Sequence, residues 1–394
     1  MKNWKKEKLG DVCEFVRGPF GGSLKKNIFK EDGFAVYEQQ HAIYDQFNKI
    51  RYFIDEVKFN EMKRFELNSG DLIMSCSGTM GKIAIVPDNI KRGIINQALL
   101  KLSPSSKVST VFLKLWMQSE NFQESLEKHS KGAAIKNVAS VAILKKIEIP
   151  LPPLPEQQRI VAIIDEVFEA IAMAKANAEQ NLKNSKELFE SYLQGVFENK
   201  GEGWEEKTLK EITTLLGDGL HGTPKYTEDG DYHFINGNNL KDGVIEFKTS
   251  TKRVSIEEYD KYKKNLTNRT VMVSINGTLG NVAFYNNEKI ILGKSACYFN
   301  MKDSVDKSYI KYVLSSPYFL LYAHKQATGA TIKNVSLKTM REFIVPLPSL
   351  KEQQTIVQKL DALSIETKRL EAIYQQKIND LEELKKSVLQ KAFA

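Results

Sequence analysis

The chain is written twice, and that repetition limits its fold more than any other feature. Residues 150–165 read PLPPLPEQQRIVAIID and residues 346–361 read PLPSLKEQQTIVQKLD, so ten of sixteen positions match at a gap-free offset of 196. Upstream, GAAIKNV (132–138) answers GATIKNV (329–335) at an offset of 197, and SGTMGK (77–82) answers NGTLGN (276–281) at 199. Trp4 and Leu9 answer Trp204 and Leu209 at 200. The order holds while the offset drifts by single residues, as in a tandem duplication trimmed in its loops. Each copy is a variable body, 1–150 or 201–345, followed by a more faithful tail, 151–200 or 346–394.

The tails predict long helices. In the first, Ile160, Ile164, Val167, Ile171, Ala174, Ala178 and Leu182 recur at spacings of four and three, followed by Phe189, Tyr192 and Val196. This is a coiled-coil seam with a stutter at Leu182. The second tail keeps the rhythm through Ile356, Leu360, Leu363, Leu370, Tyr374, Ile378, Leu381 and Val388, with its stutter at the aligned Ile378. Pro152, Pro153 and Pro155 stop the preceding strand, and Pro155 suits a first helical turn. Gly201 and Gly203 break the first helix beyond Asn199. A helix of about 44 residues spans roughly 66 Å. Connectivity then gives the expected architecture: two long antiparallel helices separating two globular bodies, a dumbbell with an approximate twofold axis. The bodies read as mixed α/β. Strands are expected at Gly70–Ser75 and Lys82–Pro87, and again at Val271–Ile275 and Asn281–Tyr285, with helical periodicity over 109–130 and 307–327.

Charge follows the same division. Lys and Arg number 57 against 49 Asp and Glu, a net of +8. The bodies carry +7 and +3, the tails −3 and +1. Basic bodies spaced by near-neutral helices suit a polyanion gripped at two places, and a pseudo-dyad suits two half-sites on duplex DNA. No apolar run is long enough for a membrane span, and the N-terminus lacks the apolar stretch of a signal peptide. Cys13, Cys76 and Cys297 lie far apart without CxxC spacing, pointing to a reducing cytoplasm. No phosphate loop, zinc helix or nucleophile elbow is present. The histidines (41, 129, 221, 233, 324) have no metal-ligand spacing, and Gly217-Asp218-Gly219 is a bare GxG. Glu56-Val57-Lys58 and Glu246-Phe247-Lys248 match only half of a nuclease motif. Neither catalysis nor a metal site is expected of this chain.

Two variable bodies, each followed by PLPPLPEQQRIV or PLPSLKEQQTIV and a long helix, and a chain ending LQKAFA, resemble the specificity (S) subunit of type I restriction–modification systems. GPFGGSLKKNIF and GDLIMSCSGTMGKIAIVP in the first body, and GDGLHGTPKY with FINGNNLKDG in the second, carry the resemblance further. It implies two target-recognition domains that each read one half of a split double-stranded DNA sequence. The helices would act as a ruler and as the dock for two methyltransferase (M) subunits. It also implies a non-catalytic subunit that binds no cofactor, with S-adenosylmethionine on M, and ATP and Mg²⁺ on restriction (R) subunits. The two bodies differ, so the half-sites should differ.

Side-chain chemistry selects candidate DNA contacts, because Asn and Gln pair with adenine, Arg and Lys with guanine, and these with Ser and Thr hold phosphates. In the first body these are Lys25, Lys26, Gln39, Gln40, His41, Ser77, Thr79, Lys82, Asn96 and Gln97. In the second they are His221, Thr223, Lys225, Tyr226, Asn236, Asn238, Asn239, Asn276, Thr278 and Lys294. Lys136-Asn137 and Lys333-Asn334, identical in both copies, suit sequence-independent phosphate contacts. GTMG and GTLG fit either tight turns or DNA contacts. Glu156-Gln157-Gln158 and Glu352-Gln353-Gln354 fit helix starts and packing, or partner contacts. A different class of function also fits: a duplicated coiled-coil scaffold that binds only proteins.

Overall fold

The computed structural model describes residues 4–20, 22–130, 140–329 and 331–393. Six helices matter below: α1 (Thr110–Gln118), α2 (Glu120–Ser130), α3 (Leu154–Glu198), α4 (Lys307–Ser315), α5 (Pro317–Gln326) and α6 (Leu350–Phe393). The chain forms two compact units, Met1–Ala178 with Gln376–Ala394, and Glu179–Gln375. Each unit therefore contains part of both long helices. No helix among the described residues is long and apolar enough to cross a membrane.

In the first unit, six strands matter below. They are β1 (Cys13–Arg17), β2 (Phe34–Tyr37), β3 (Leu72–Ser75), β4 (Ile83–Ile85), β5 (Gly93–Ile95) and β6 (Leu99–Pro104). β1-β6-β3-β4 form an antiparallel sheet, whereas β2 pairs parallel with β5 and antiparallel with the short strand Phe53–Ile54. Every residue of β3 is buried. Its side chains alternate: Leu72 and Met74 join the core against α1 and the long helices, while Ile73 joins Tyr37, Ile95 and Leu99 in a second core. A strand apolar on both faces is what this sandwiching requires.

The second unit repeats the plan with β7 (Thr213–Asp218), β8 (Tyr232–Ile235), β9 (Thr270–Ser274), β10 (Val282–Phe284), β11 (Ile290–Leu292) and β12 (Ala296–Met301). β7-β12-β9-β10 form the antiparallel sheet, and β8 runs parallel to β11. Val271 and Val273 face one core and Met272 the other, as in β3.

The long helices enter these cores. In the first unit, Ile160 and Ile164 of α3 and Leu389 and Phe393 of α6 pack with Phe112 and Trp116. Lys175 pairs with Glu382 at 2.6 Å and Lys385 lies over the Phe168 ring, so the segments run antiparallel there. In the second unit, Leu193, Phe197 and Leu360 share a core with Tyr309. Fully burying a side chain of this size contributes about 1.5–3 kcal/mol. The expected seam holds at Ile164, Ile171 and Ala178 and then shifts by one residue. Tyr192 is 42% exposed, while Leu193 is 3% and Phe197 0%. The cause is a change of partner, because the end of α3 packs on the body strands and α4 as well as on α6. Polar seam residues are satisfied locally: Ser185 donates to the Asn181 carbonyl and Thr367 to that of Leu363.

The strongest repeat motif has a structural job. Gln157 is fully buried; its Oε1 accepts from Ser109 N at 2.8 Å, and its Nε2 donates to the carbonyls of Pro152 (2.8 Å) and Lys107 (3.1 Å). Gln353 makes the equivalent bonds to Asp306 N (2.8 Å), Pro348 O (2.8 Å) and Ser304 O (3.5 Å). Each glutamine thus staples the start of a long helix to the loop that opens α1 or α4. Gln158 and Gln354 are exposed.

Candidate nucleic-acid interface

In both units the chain passes from the parallel pair to the antiparallel sheet through a three-residue corner, and the candidate loops meet there. In the first unit the corner is Asn96-Gln97-Ala98. Asn96 N donates to Tyr37 O at the end of β2, Cys76 N donates to Ala98 O after β3, and Gly18 N, after β1, donates to Leu99 O. In the second unit the corner is Gly293-Lys294-Ser295. Gly293 N donates to Ile235 O, Ile275 N to Ser295 O, and Gly219 N to Ala296 O. These are the same three bonds in the same order. Gly18 and Gly219 must lack a side chain, because a Cβ would sit 1.8 Å from Asn96 O or 2.2 Å from Leu292 O. Loops after β1, β2, β3 and β5, and after β7, β8, β9 and β11, are thereby gathered at one place in each unit.

The loops after β2 and β8 repeat a second device. At Glu38-Gln39-Gln40-His41 and at Asn236-Gly237-Asn238-Asn239, the first and fourth residues form reciprocal capping boxes. This corrects two expectations. His41 is 0% exposed; its Nδ1 accepts from Glu38 N at 2.8 Å and its Nε2 lies 3.1 Å from Lys49 O. Asn239 is 5% exposed; its Oδ1 accepts from Asn236 N, and its Nδ2 donates to Glu246 O. Both hold their loops from inside, as a cap's polar atoms must when buried. Asn96 and Asn236 are half-buried and also brace the corner. Asn96 Oδ1 accepts from Ala98 N, and Asn236 Oδ1 accepts from Ser295 Oγ, each at 3.0 Å. Gln40 and Asn238, one position earlier than the buried residues, are exposed, and Gln39 is half-buried.

The glycine motifs are tight turns that also carry exposed groups. Gly78, Gly81, Gly277 and Gly280 all have left-handed φ, between 65° and 82°, where glycine meets no Cβ penalty. Ser75 Oγ accepts from Lys82 N, and Ser274 Oγ from Asn281 N, both at 2.9 Å. These bonds leave Thr79 and Thr278 exposed at the tips and Ser77 and Asn276 half-buried beside them. The GTLG turn is joined to the downstream loop: Gly277 N donates to Lys333 O, and Asn276 Nδ2 to Asn334 Oδ1 at 3.1 Å. Their first-unit counterparts, Lys136 and Asn137, lie outside the described residues.

His221, Asn276, Lys294 and Asn334 line one cavity of about 440 Å³ together with Asp218. Four residues chosen from distant stretches are thus neighbours. Lys333 is exposed on the same loop as Asn334. Thr223, Lys225 and Tyr226 are exposed on the strap after β7, tied down where Lys225 N donates to Glu258 Oε2 at 3.1 Å. In the first unit Lys25, Lys26 and Gln97 are exposed. Lys82 instead lines a cavity of about 630 Å³ that includes Phe168, Lys175 and Glu382 of the long helices. Two charged residues passed over in the sequence stand at the corner: Arg17 ends β1 and Asp218 ends β7, each immediately before the close-packed glycine. Burial raises the Cys76 thiol to about 12, against the opposing pull of the nearby Arg17 charge. Among the described residues no cluster of His, Cys, Asp or Glu suits a metal ion.

Fold and site together define a tandem-repeat protein in which one backbone frame presents two different sets of polar loops. Comparison with known proteins agrees with that class. The family model described as the type I restriction modification DNA specificity domain matches twice, over residues 1–184 and 201–383, and the chain belongs to this family. Among curated relatives, the chain is 24% identical to the MjaVIII specificity subunit of Methanocaldococcus jannaschii, over 94% of this chain and 88% of that one. It is 24% identical to the EcoKI specificity subunit of Escherichia coli K12, over 74% and 66%. Among solved structures, the HsdS subunit from Thermoanaerobacter tengcongensis aligns over 100% of this chain and 97% of that one, with a TM-score of 0.65 at 20% identity. A chain from a type I R-M assembly reaches 0.75 over 100% and 98%, also at 20%. The chain is a DNA sequence-specificity subunit of a type I restriction–modification system.

Proposed function

We propose that each unit reads one half of a split, asymmetric double-stranded DNA site, and that α3 and α6 set the unread gap and dock two M subunits. The observation that carries this reading is the duplicated corner: identical main-chain bonds gather loops whose side chains differ between the copies. Reading two different half-sites from one frame requires that combination. Docking on the helices is supported by apolar side chains left exposed on them, including Ile163, Met173, Leu188, Ile365, Ile373 and Leu384. Exposed apolar groups of this kind favour a protein partner. S-adenosylmethionine would then be held by M, and ATP and Mg²⁺ by R subunits. A cytoplasmic location is in keeping with three cysteines that form no disulfide.

Methylome sequencing of cells that co-express the chain with its methyltransferase tests the reading. Replacing residues 1–150 with another such body should change one half of the methylated motif and leave the other intact. A change in both halves, or in neither, would refute the division of labour. Inserting four helical residues near Asn181 adds about 6 Å and should lengthen the gap alone.

A further inference from the structure

One position at the corner carries opposite charge in the two units. Arg17 is paired with Leu100 in the β1–β6 ladder, and Asp218 with Cys297 in the β7–β12 ladder. Leu100 and Cys297 are each the second residue after the equivalent corners, so Arg17 and Asp218 occupy the same place in the frame. The next residue in each copy is the glycine whose N–H closes onto the corner strand. A charge there is held by a strand end and a glycine lock rather than by a loose loop.

Arg17 is half-buried and makes no side-chain hydrogen bond or ion pair with another described residue. Asp218 has a side chain only 19% exposed and lines the cavity shared with His221, Asn276, Lys294 and Asn334. Its Oδ2 lies 2.6 Å from His221 Nε2. A carboxylate offers about four acceptor sites in total, so this contact orients it without exhausting it. A phosphate repels a carboxylate, unlike the other polar groups chosen at this surface. On a DNA-facing surface the carboxylate can accept from a donor on a base edge, and cytosine N4 is the base-edge donor that pairs with Asp in the major groove. An arginine at the same place meets guanine O6 and N7.

Resting on the DNA-reading function above, we propose that Arg17 and Asp218 are equivalent specificity-determining residues, each reading a G·C pair in its own half-site. Arg17 takes the guanine edge and Asp218 the cytosine edge, with His221 positioning the carboxylate. The contact differs in sign, so the guanine falls on opposite strands relative to the two frames.

Methylome sequencing of the chain co-expressed with its methyltransferase gives the test, with Arg17→Met, which keeps an unbranched stem but no donors, and Asp218→Asn, which keeps the native shape without the charge. Each should relax one G·C position, in different halves of the motif, with preference falling about 5- to 150-fold, the range for one good base contact. Arg17→Asp should further favour the pair with its strands exchanged. An unchanged motif, relaxation at an A·T pair, or relaxation of the same half by both variants overturns the proposal. A variant that methylates nowhere is assayed as the purified complex by mobility shift, on duplexes substituted at each position of that half. Selective indifference at one G·C pair supports the proposal, and equal weakening at every position overturns it. A wild-type chain that directs no bipartite motif would instead remove the DNA-reading function itself.

Discussion

Replacing Gln157 by methionine keeps the length and volume of the side chain and removes all three of its hydrogen bonds. A net worth of about 0.5–1.5 kcal/mol per bond gives a loss of roughly 2–4 kcal/mol, since the partners left behind are main-chain groups in or near the core. For a unit of this size each kcal/mol lowers Tm by about 2–4 °C, so its transition should fall by about 5–15 °C. Gln353→Met should cost less in the second unit, because one of its bonds is stretched to 3.5 Å and contributes little. Gln158→Met and Gln354→Met, at exposed positions one residue on, should stay within about 0.5 kcal/mol. Differential scanning calorimetry of the full chain measures all four. The packing role is refuted if Gln157→Met leaves the transition within about 1 °C of wild type, or if Gln158→Met lowers it equally. Loss of methyltransferase co-purification without loss of stability would make the motif a docking contact instead.

Gly18→Ala and Gly219→Ala place a Cβ against main-chain oxygen, and each should destabilise its own unit by about 2–4 kcal/mol, read as a lower urea midpoint. Burial pushes the Cys13 and Cys76 thiols to about 12 and raises that of Cys297 as well. Ellman's reagent near pH 8 should therefore label none of the three in the native chain and all of them after unfolding. A hydrogen bond from Lys368, helped by the charge of Lys311, holds the Asp242 carboxyl below its ordinary value. A lowered carboxylate adds stability above its unfolded value, and loses it as pH falls through the folded one. Asp242→Asn should accordingly flatten the decline in urea midpoint between about pH 5 and pH 3.

What was legible depended on where the information lay along the chain. The duplicated tails announced the long helices because a buried seam imposes a period within each segment. The strands around GTMG and GTLG were equally readable, since apolar runs and obligatory glycines are local signals. The corner was not readable. It joins residues as distant as Gly18 and Leu99, and only the folded chain shows that Asn276 meets Asn334. Side-chain chemistry alone misplaced His41 and Asn239: a polar residue in a loop looks the same whether it faces DNA or caps its own turn. The spacing of Glu38 to His41, and of Asn236 to Asn239, did contain a capping signature. Arg17 and Asp218 escaped because the copies match too poorly around β1 and β7 to be paired without the strand register.

At the corner the copies share main-chain bonds while their side chains differ, and at the helix starts they share the side chain that bonds. At the corner every shared hydrogen bond runs between backbone groups, and the glycines supply the close approach. Exchanging Gln97 for Lys294, Gln40 for Asn238 or Arg17 for Asp218 therefore leaves the frame intact, because none of those side chains holds it together. At the helix starts the connection passes through the amide of Gln157 or Gln353, and no other side chain of that reach both accepts and donates as glutamine does. The motif must keep its letters there. A frame fastened by backbone and a helix start fastened by one amide account physically for variable readers on repeated tails, and they explain why the residues that differ between copies are the place to look for specificity.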